Sequence, residues 1–528
     1  MIKFPVKFTS HIFSAFLLLQ SPIAFSEELT VLTYHDITGN PGDDAYAISR
    51  SAFVEQMDYL EQNGYHPISL EKLNRVYKKQ EKLPKKAVLL TFDDGLKSYS
   101  RFAVPVLKTY GYPSVLSVVS GWADNKSTPP EYRGKLLSWD DLRELKKSKL
   151  VEILSHTHDL HTNVISNPQG NYAPAGVTRV YSPTVKQYEP ERVFRQRIAQ
   201  DLKNSKARFK KELGIDLMGI AWPYGRYDNV MAAEARLLGM KFQLTLDDGP
   251  NHVGNLPVLN RIMIMRDTGI KDFVSDLKYE PTRNYTHQFI EITLDQFIGK
   301  DADQSEKLLS QLMDRIERQE ANTVILTPIT KDGGKTFFST SQMATATDIL
   351  NRVTHQLNNR LGIRHIFLRI TDSVSVTKSE TVLNDMARLA WFNGIVFDGV
   401  GEKEMIKIRK IVEYYHPKSS FGYYGDFKNG EIKNAGIYDF VILPVNAANS
   451  NDAIRDQILK VTGIPTKLFI QVKVEDGDDR ILPRVIDMIR NLGIKHYGVA
   501  HAQDLHAHEG NYTRANDLAK GTLAVVGG

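Results

Sequence analysis

Apolar residues along the chain fall into runs of two kinds, and the two kinds alternate. Leu29 to Tyr34 and Ala87 to Phe92 are β-rich apolar runs of the sort that buries both faces in a parallel sheet, and Val151 to Leu154 is a third. Between the first two, a helix starts at Ser51, with Phe53, Met57 and Leu60 recurring at helical spacing. Strand followed by helix, repeated to about Phe273, predicts an α/β barrel or a wound sheet. Tyr279 to Thr286 is polar and lacks periodicity, and the domain boundary is placed there.

From Gln288 the pattern restarts. Strands are expected at Phe289–Leu294, Thr323–Ile329, His365–Ile370, Gly394–Phe397, Ser420–Tyr424, Phe440–Pro444, Leu468–Val474 and His496–Ala500. Helical patterns lie between most of them, such as Ser305–Arg318 with Leu308, Leu309, Leu312 and Ile316. Eight strands close a barrel, so residues 288–528 read as a (β/α)8 domain of roughly 240 residues.

Ahead of the first strand, Lys3 and Lys7 precede an apolar stretch from about Ile12 to Phe25, short of the roughly 20 residues that span a bilayer. Small residues at Ala24-Phe25-Ser26 make residues 1–26 an expected export signal, with an uncleaved anchor as the alternative. The mature chain then divides into a first domain at 27–278, a linker at 279–287 and the second domain. Composition narrows the chemistry. With 528 residues, 42% hydrophobic and 24% charged, the chain is ordinary globular protein of two or more domains. A net charge of +5 without a dense basic tract makes nucleic acid an unexpected partner. The absence of cysteine excludes disulfides, thiolate metal sites, cysteine nucleophiles and a cysteine-anchored lipoprotein.

The chemistry concentrates at strand ends. The second apolar run delivers Thr91-Phe92-Asp93-Asp94-Gly95, two adjacent carboxylates followed by a residue that permits a sharp turn. The run Val151–Leu154 delivers Ser155-His156-Thr157-His158-Asp159-Leu160-His161. Two imidazoles and a carboxylate form an open metal site, and such a site acidifies water while a carboxylate outside it takes the proton. Either motif alone reads more readily as a polar turn; together and in this order they point to a hydrolase.

The Thr91–Gly95 segment resembles the first motif of polysaccharide deacetylases (carbohydrate esterase family 4, NodB homology), and His156 with His161 resembles its metal-binding pair. The family spaces that pair four apart; the spacing of five here resembles the periplasmic poly-β-1,6-N-acetylglucosamine N-deacetylases of biofilm secretion systems. The resemblance implies Asp94, His156 and His161 as ligands to one divalent ion (Zn, Co or Ni), Asp93 as general base, and His158 as a supporting residue. Ala221-Trp222-Pro223-Tyr224-Gly225 resembles the third motif, in which the backbone N–H at the Tyr224 position helps hold an oxyanion, with Trp222 and Pro223 binding or orienting substrate. Ala221 stands where the motif has arginine, which leaves Arg261 as the candidate to orient the base. Tyr34-His35-Asp36 resembles a segment of the same subgroup, and implies His35 as the acid that protonates the departing amine. Asp247-Asp248-Gly249 is either a further site segment or a plain turn.

The likeness extends to the second half, through Phe289–Asp295, Tyr438–Pro444 and Leu468–Val474. It implies a NodB-type distorted (β/α) barrel followed by a polymer-binding (β/α)8-like barrel. Some family members also cleave the polymer there with an acidic cluster. Here Phe397-Asp398-Gly399-Val400-Gly401 keeps a single Asp, with Asp372, Glu402 or Glu475 as distant second acids, so binding is favoured over cleavage. Tyr423, Tyr424, Trp391, Tyr438 and Tyr497 are candidate sugar-stacking residues or core aromatics. The expected function is metal-dependent deacetylation of poly-N-acetylglucosamine in the periplasm, free or associated with the outer membrane, with the outer-membrane export machinery as partner. Deacetylation of peptidoglycan or chitin oligomers, an exported binding protein with weak or no catalysis, and a C-terminal glycosidase are the alternatives.

Overall fold

The computed structural model describes residues 28–247, 249–278, 286–372, 379–425, 437–461, 467–473 and 482–499. The expected export signal, most of the linker, Asp248 and Glu475 lie outside the described residues. Among the described residues no helix is long and apolar enough to cross a membrane.

Six parallel strands carry the first domain: β1 (Glu28–Tyr34), β2 (Ala87–Phe92), β3 (Ser114–Val118), β4 (Val151–Ser155), β5 (Gly219–Ala221) and β6 (Phe242–Leu244), side by side in chain order. Every residue of β2 and β3 is buried, because helices cover one face and the inner core the other. The first helix, Arg50–Gln62, is capped by the Ser49 hydroxyl, which accepts the Ala52 N–H, and its Phe53, Met57 and Leu60 are buried as the spacing predicts. Past β6 the chain swings round the open side. Val258–Leu259 pairs in parallel with β6, and Ile262–Met263 pairs in parallel with β1 on the opposite edge. Residues 260 and 261 therefore bridge the gap of a barrel that is drawn nearly shut.

The second domain is a closed barrel of eight parallel strands: β7 (Gln288–Ile292), β8 (Thr323–Leu326), β9 (His365–Thr371), β10 (Gly394–Asp398), β11 (Ser420–Tyr424), β12 (Phe440–Asn446), β13 (Lys467–Lys473) and β14 (His496–Val499). The strands match the expected runs to within three residues at either end. Side chains two apart on a strand share a face, so the barrel fills in layers. Phe289, Ile325, Phe367, Val396, Tyr424, Phe440 and Phe469 make one apolar core inside it. Two residues further along their strands stand Glu291, Arg369, Asp398 and Gln471, a polar layer at the carboxyl end.

The segment between β4 and the long helix Glu191–Leu213 forms two short hairpins that reach the second domain. Gln169 donates to the Asp348 carbonyl at 2.8 Å, the Tyr188 hydroxyl to the Asp348 carboxylate at 2.8 Å, and the Asn167 amide to Asn351 at 2.8 Å. Arg388 completes the junction with a buried ion pair to Asp228.

The five aromatics that are candidates for sugar stacking or for the core do not share one mouth. Tyr438 and Tyr497 are buried at the amino ends of β12 and β14, and Trp391 precedes β10 on that same side. Only Tyr423 and Tyr424 lie at a carboxyl end, and Tyr424 belongs to the barrel interior. The reason is register: a residue that begins a parallel strand sits at the opposite rim from one that ends it.

Candidate active site

The carboxyl ends of β1, β2, β4 and β5 converge on one spot. Past the end of β2, Asp94 and Gly95 both take the left-handed conformation, with φ of 71° and 74°. A side chain at Gly95 would be strained there, and its Cβ would press on Val118 at 3.3 Å. Thr157 and Tyr224, in the loops after β4 and β5, have positive φ as well, 71° and 58°. Strained non-glycine backbone gathered at one end of a sheet is characteristic of a built site.

Asp94, His156 and His161 each offer one ligand atom within 4.8 Å of the others. The Nε2 atoms of His156 and His161 lie 3.5 and 3.4 Å from the same oxygen, Asp94 Oδ1. His156 Nδ1 lies 2.8 Å from the Ala221 carbonyl, which can only accept, so that nitrogen carries the proton and Nε2 presents its lone pair. Burial pushes the pKa of both imidazoles down to about 4, which keeps them neutral. Two neutral imidazole nitrogens thus close on a buried carboxylate oxygen that accepts no hydrogen bond among the described residues. Acceptors crowd in this way when a cation completes them, and the donor set fits a divalent ion.

Asp93 stands beside this set with a different partner. Arg261 Nη1 lies 2.8 Å from Asp93 Oδ2 and 3.0 Å from Oδ1, and both side chains are buried. Burial alone would raise the Asp93 pKa, but the Arg261 guanidinium together with His156 and His35 outweighs it and holds the carboxyl well below the usual carboxylate range. Arg261 is fixed in turn by the Thr245 carbonyl at 3.0 Å and the Thr33 hydroxyl at 3.0 Å. It is positioned by the short bridging strands, which bring residue 261 to the end of β1.

The remaining predicted residues divide. His35 follows the first strand with its ring 5.4 Å from Tyr46 and with a buried Nδ1 that has no partner among the described residues. Tyr224 is 41% exposed, and its ring lies 4.7 Å from the His161 ring. Trp222 and Pro223 are buried, Trp222 completely, and lead directly into Tyr224. His158 turns away from the ligand set to Ser120, at 2.9 Å. The backbone N–H groups of His158 and Asp159 are gripped by the Asp201 carboxylate, at 3.0 and 2.6 Å. Asp398 is in the other barrel, where Arg369 takes it at 2.7 Å and Glu291 at 2.6 Å.

Two residues escaped the sequence reading. The Tyr132 hydroxyl donates to Asp94 Oδ2 at 3.1 Å, and the Trp122 ring lies 4.8 Å from Tyr132 and 4.7 Å from His161. Trp122 follows β3 by four residues, and that strand-end position was its available signal. Tyr132 ends a single 3-10 turn, Pro130–Tyr132, too short to show a period.

A nearly closed parallel barrel that presents two histidines and one carboxylate to a shared point, with a second carboxylate on an arginine alongside, defines a metal-assisted hydrolase fold and site. The comparisons make it particular. Residues 80–243 match the family model for polysaccharide deacetylase, and residues 291–368 match one described as hypothetical glycosyl hydrolase family 13. A solved de-N-acetylase from Aggregatibacter actinomycetemcomitans is 30% identical, with 47% of this chain and 99% of that one covered and a TM-score of 0.44. A deacetylase domain from Bordetella bronchiseptica is 31% identical, covering 44% and 95%, with a TM-score of 0.41. The first domain therefore carries a polysaccharide deacetylase domain match over residues 80–243. The poly-β-1,6-N-acetyl-D-glucosamine N-deacetylase of Escherichia coli K12 is 26% identical over 345 residues, 63% of this chain and 51% of that protein. This chain thus spans about half the length of that curated relative.

Proposed function

We propose that the chain removes acetyl groups from poly-β-1,6-N-acetylglucosamine and releases acetate. The observation that carries the reading is the unpartnered Asp94 Oδ1 between two imidazole lone pairs, beside an Asp93 committed to Arg261 and not to the ligand set.

Asp94, His156 and His161 are the residues that would hold the divalent ion, Zn²⁺, Co²⁺ or Ni²⁺, which when bound supplies Lewis acidity toward the acetyl carbonyl and toward water. Asp93 accepts the proton of the attacking water; Arg261 keeps it ionised and fixes its aim. The Tyr224 backbone N–H donates to the carbonyl oxygen as negative charge grows there. The positive φ of Tyr224 supports this role, since it turns that amide out of the local hydrogen-bond pattern. His35 gives a proton to the amine nitrogen as the carbon–nitrogen bond breaks. Water is consumed, and acetate and a free amine are formed.

In the second barrel, Arg369 occupies both Glu291 and Asp398, which leaves neither carboxylate free as a proton donor. That pairing supports polymer binding over glycosidic cleavage. Export to the periplasm and work alongside outer-membrane export machinery complete the proposal, on the expected export signal and the motif resemblance. Acetate release is the test. β-1,6-linked N-acetylglucosamine oligomers should be turned over faster than chitin or peptidoglycan fragments, without shortening of the chains. No acetate from any of them after Zn²⁺, Co²⁺ or Ni²⁺ addition would leave an exported polysaccharide-binding protein instead.

A further inference from the structure

The loop that carries Tyr224 runs straight on into the junction between the two domains. Two residues later Arg226 lies over the ring of Trp391, which comes from the second domain, at 4.7 Å. Around this pair the domains leave a cavity of about 170 Å³, and a second lobe of about 120 Å³ shares Arg226, Tyr227, Trp391, Tyr415 and His416 with it. The larger lobe is small beside pockets for drug-sized ligands, about 300 Å³ and up, and suits one ring-sized unit.

The lining is unusual for an interdomain void. Among the described residues, neither the Arg226 guanidinium nor the Trp391 indole N–H has a hydrogen-bond or ion-pair partner. The other arginines that line the larger lobe are committed: Arg388 to Asp228, and Arg179 to Asp385 at 3.6 Å. In the smaller lobe Asp247, which accepts the Tyr227 hydroxyl at 3.1 Å, offsets one of the two cations, Arg226 and Lys418. What remains is an aromatic floor, a set of unused donors and an excess of positive charge. At the outer rim, Tyr172 is 61% exposed. An aromatic face with unspent N–H donors takes a neutral ring rich in oxygen acceptors, and net positive charge opposes an ammonium group.

We infer that the interdomain cavity is a saccharide subsite for one N-acetylated unit of the polymer, stacked on Trp391 with Arg226 donating to its acetyl or hydroxyl oxygens, and closed to the free-amine unit. The identity of the polymer rests on the deacetylation reading; the existence of a neutral-sugar site does not. Such a subsite would hold an unreacted unit while a neighbouring one is processed, and so favour chains over single sugars.

The test uses the full chain with EDTA present, so that binding is read without turnover. Titration calorimetry with a β-1,6-linked N-acetylglucosamine tetramer and with its fully de-N-acetylated form should show the acetylated tetramer binding at least tenfold more tightly. Arg226→Gln and Trp391→Leu should each weaken it about fivefold or more, and a wild-type crystal soaked with the tetramer should show a sugar ring in the cavity, packed against Trp391 and within hydrogen-bond reach of Arg226. Equal binding of the two tetramers, unchanged binding by both variants, or a soaked crystal with the cavity free of sugar overturns the proposal. If the wild type binds through Arg226 and Trp391 but releases no acetate with any metal, the subsite stands and the deacetylation reading falls. If acetate is released but tetramer binding is indifferent to both substitutions, the deacetylation reading stands and the subsite falls.

Discussion

Arg261→Met is the substitution whose consequence follows most directly from the structure. Arg261 and Asp93 form a fully buried ion pair with contacts of 2.8 and 3.0 Å, and no solvent is at hand to replace the guanidinium. Removing one member of a buried pair leaves an uncompensated charge and costs about 3–5 kcal/mol. The Thr245 carbonyl and the Thr33 hydroxyl also lose a charged donor, which keeps the expectation at the upper end of that range. Asp93→Asn alone should cost about 2–4 kcal/mol, since the guanidinium keeps its contacts to Thr245 and Thr33. The double variant should then be more stable than the sum of the two single losses implies, by a coupling of more than about 1.5 kcal/mol, because each change removes the charge that the other stranded. Three of the four tryptophans, Trp122, Trp139 and Trp222, belong to the first domain, so urea unfolding followed by tryptophan emission reports on it. A loss below about 1 kcal/mol for Arg261→Met, or strict additivity in the double variant, would refute the idea that this arginine serves to hold an ionised Asp93 in the interior.

Three further outcomes are expected. Tyr132→Phe deletes the donor to Asp94 Oδ2 and should weaken Co²⁺ affinity about 10- to 100-fold in a spectroscopic titration, while the fold is retained. Gly225→Ala places a Cβ 2.5 Å from the Leu246 Cβ at a φ of +67°, so both thermal stability and acetate release should fall together. At the domain junction, burial pushes the Asp348 pKa up to about 6, above its ordinary value of 3.8. Its contribution to stability is therefore fully present below about pH 4 and lost as pH rises through about 6, so Asp348→Asn should become relatively more stable than wild type across that window in paired thermal melts.

The parallel strands were legible because they are buried on both faces: β2 and the barrel strands appear as short, mostly apolar runs, broken in the barrel by the polar layer of Glu291, Arg369 and Gln471, a signal that survives without any alignment. The metal-ligand set was legible for the related reason that chemistry in such folds sits at strand ends, where Asp94 and His156 closely follow the apolar runs. Arg261 was within reach only through the need for something to orient Asp93; nothing in its neighbours announces the closing bridge that carries it. Tyr132 and the hairpins of residues 163–188 stayed hidden because a single 3-10 turn has no period and the hairpin strands are only two or three residues long and half-exposed. The aromatics of the second barrel kept two readings, stacking or core, for a different reason. A strand's position in sequence is easily read, but which rim its flanking residue occupies depends on strand direction, and Trp391 and Tyr497 fall on the amino-terminal side.

The central claim is that Asp94, His156 and His161 share one cation while Asp93 stays outside the set and does chemistry. Parallel measurement of bound Zn²⁺ and released acetate in wild type, Asp94→Asn and Asp93→Asn tests it in one experiment. The account predicts one equivalent of zinc and acetate release in wild type, neither in Asp94→Asn, and full zinc with acetate release lowered at least about a hundredfold in Asp93→Asn. Zinc retained by Asp94→Asn, or undiminished release by Asp93→Asn, would contradict it.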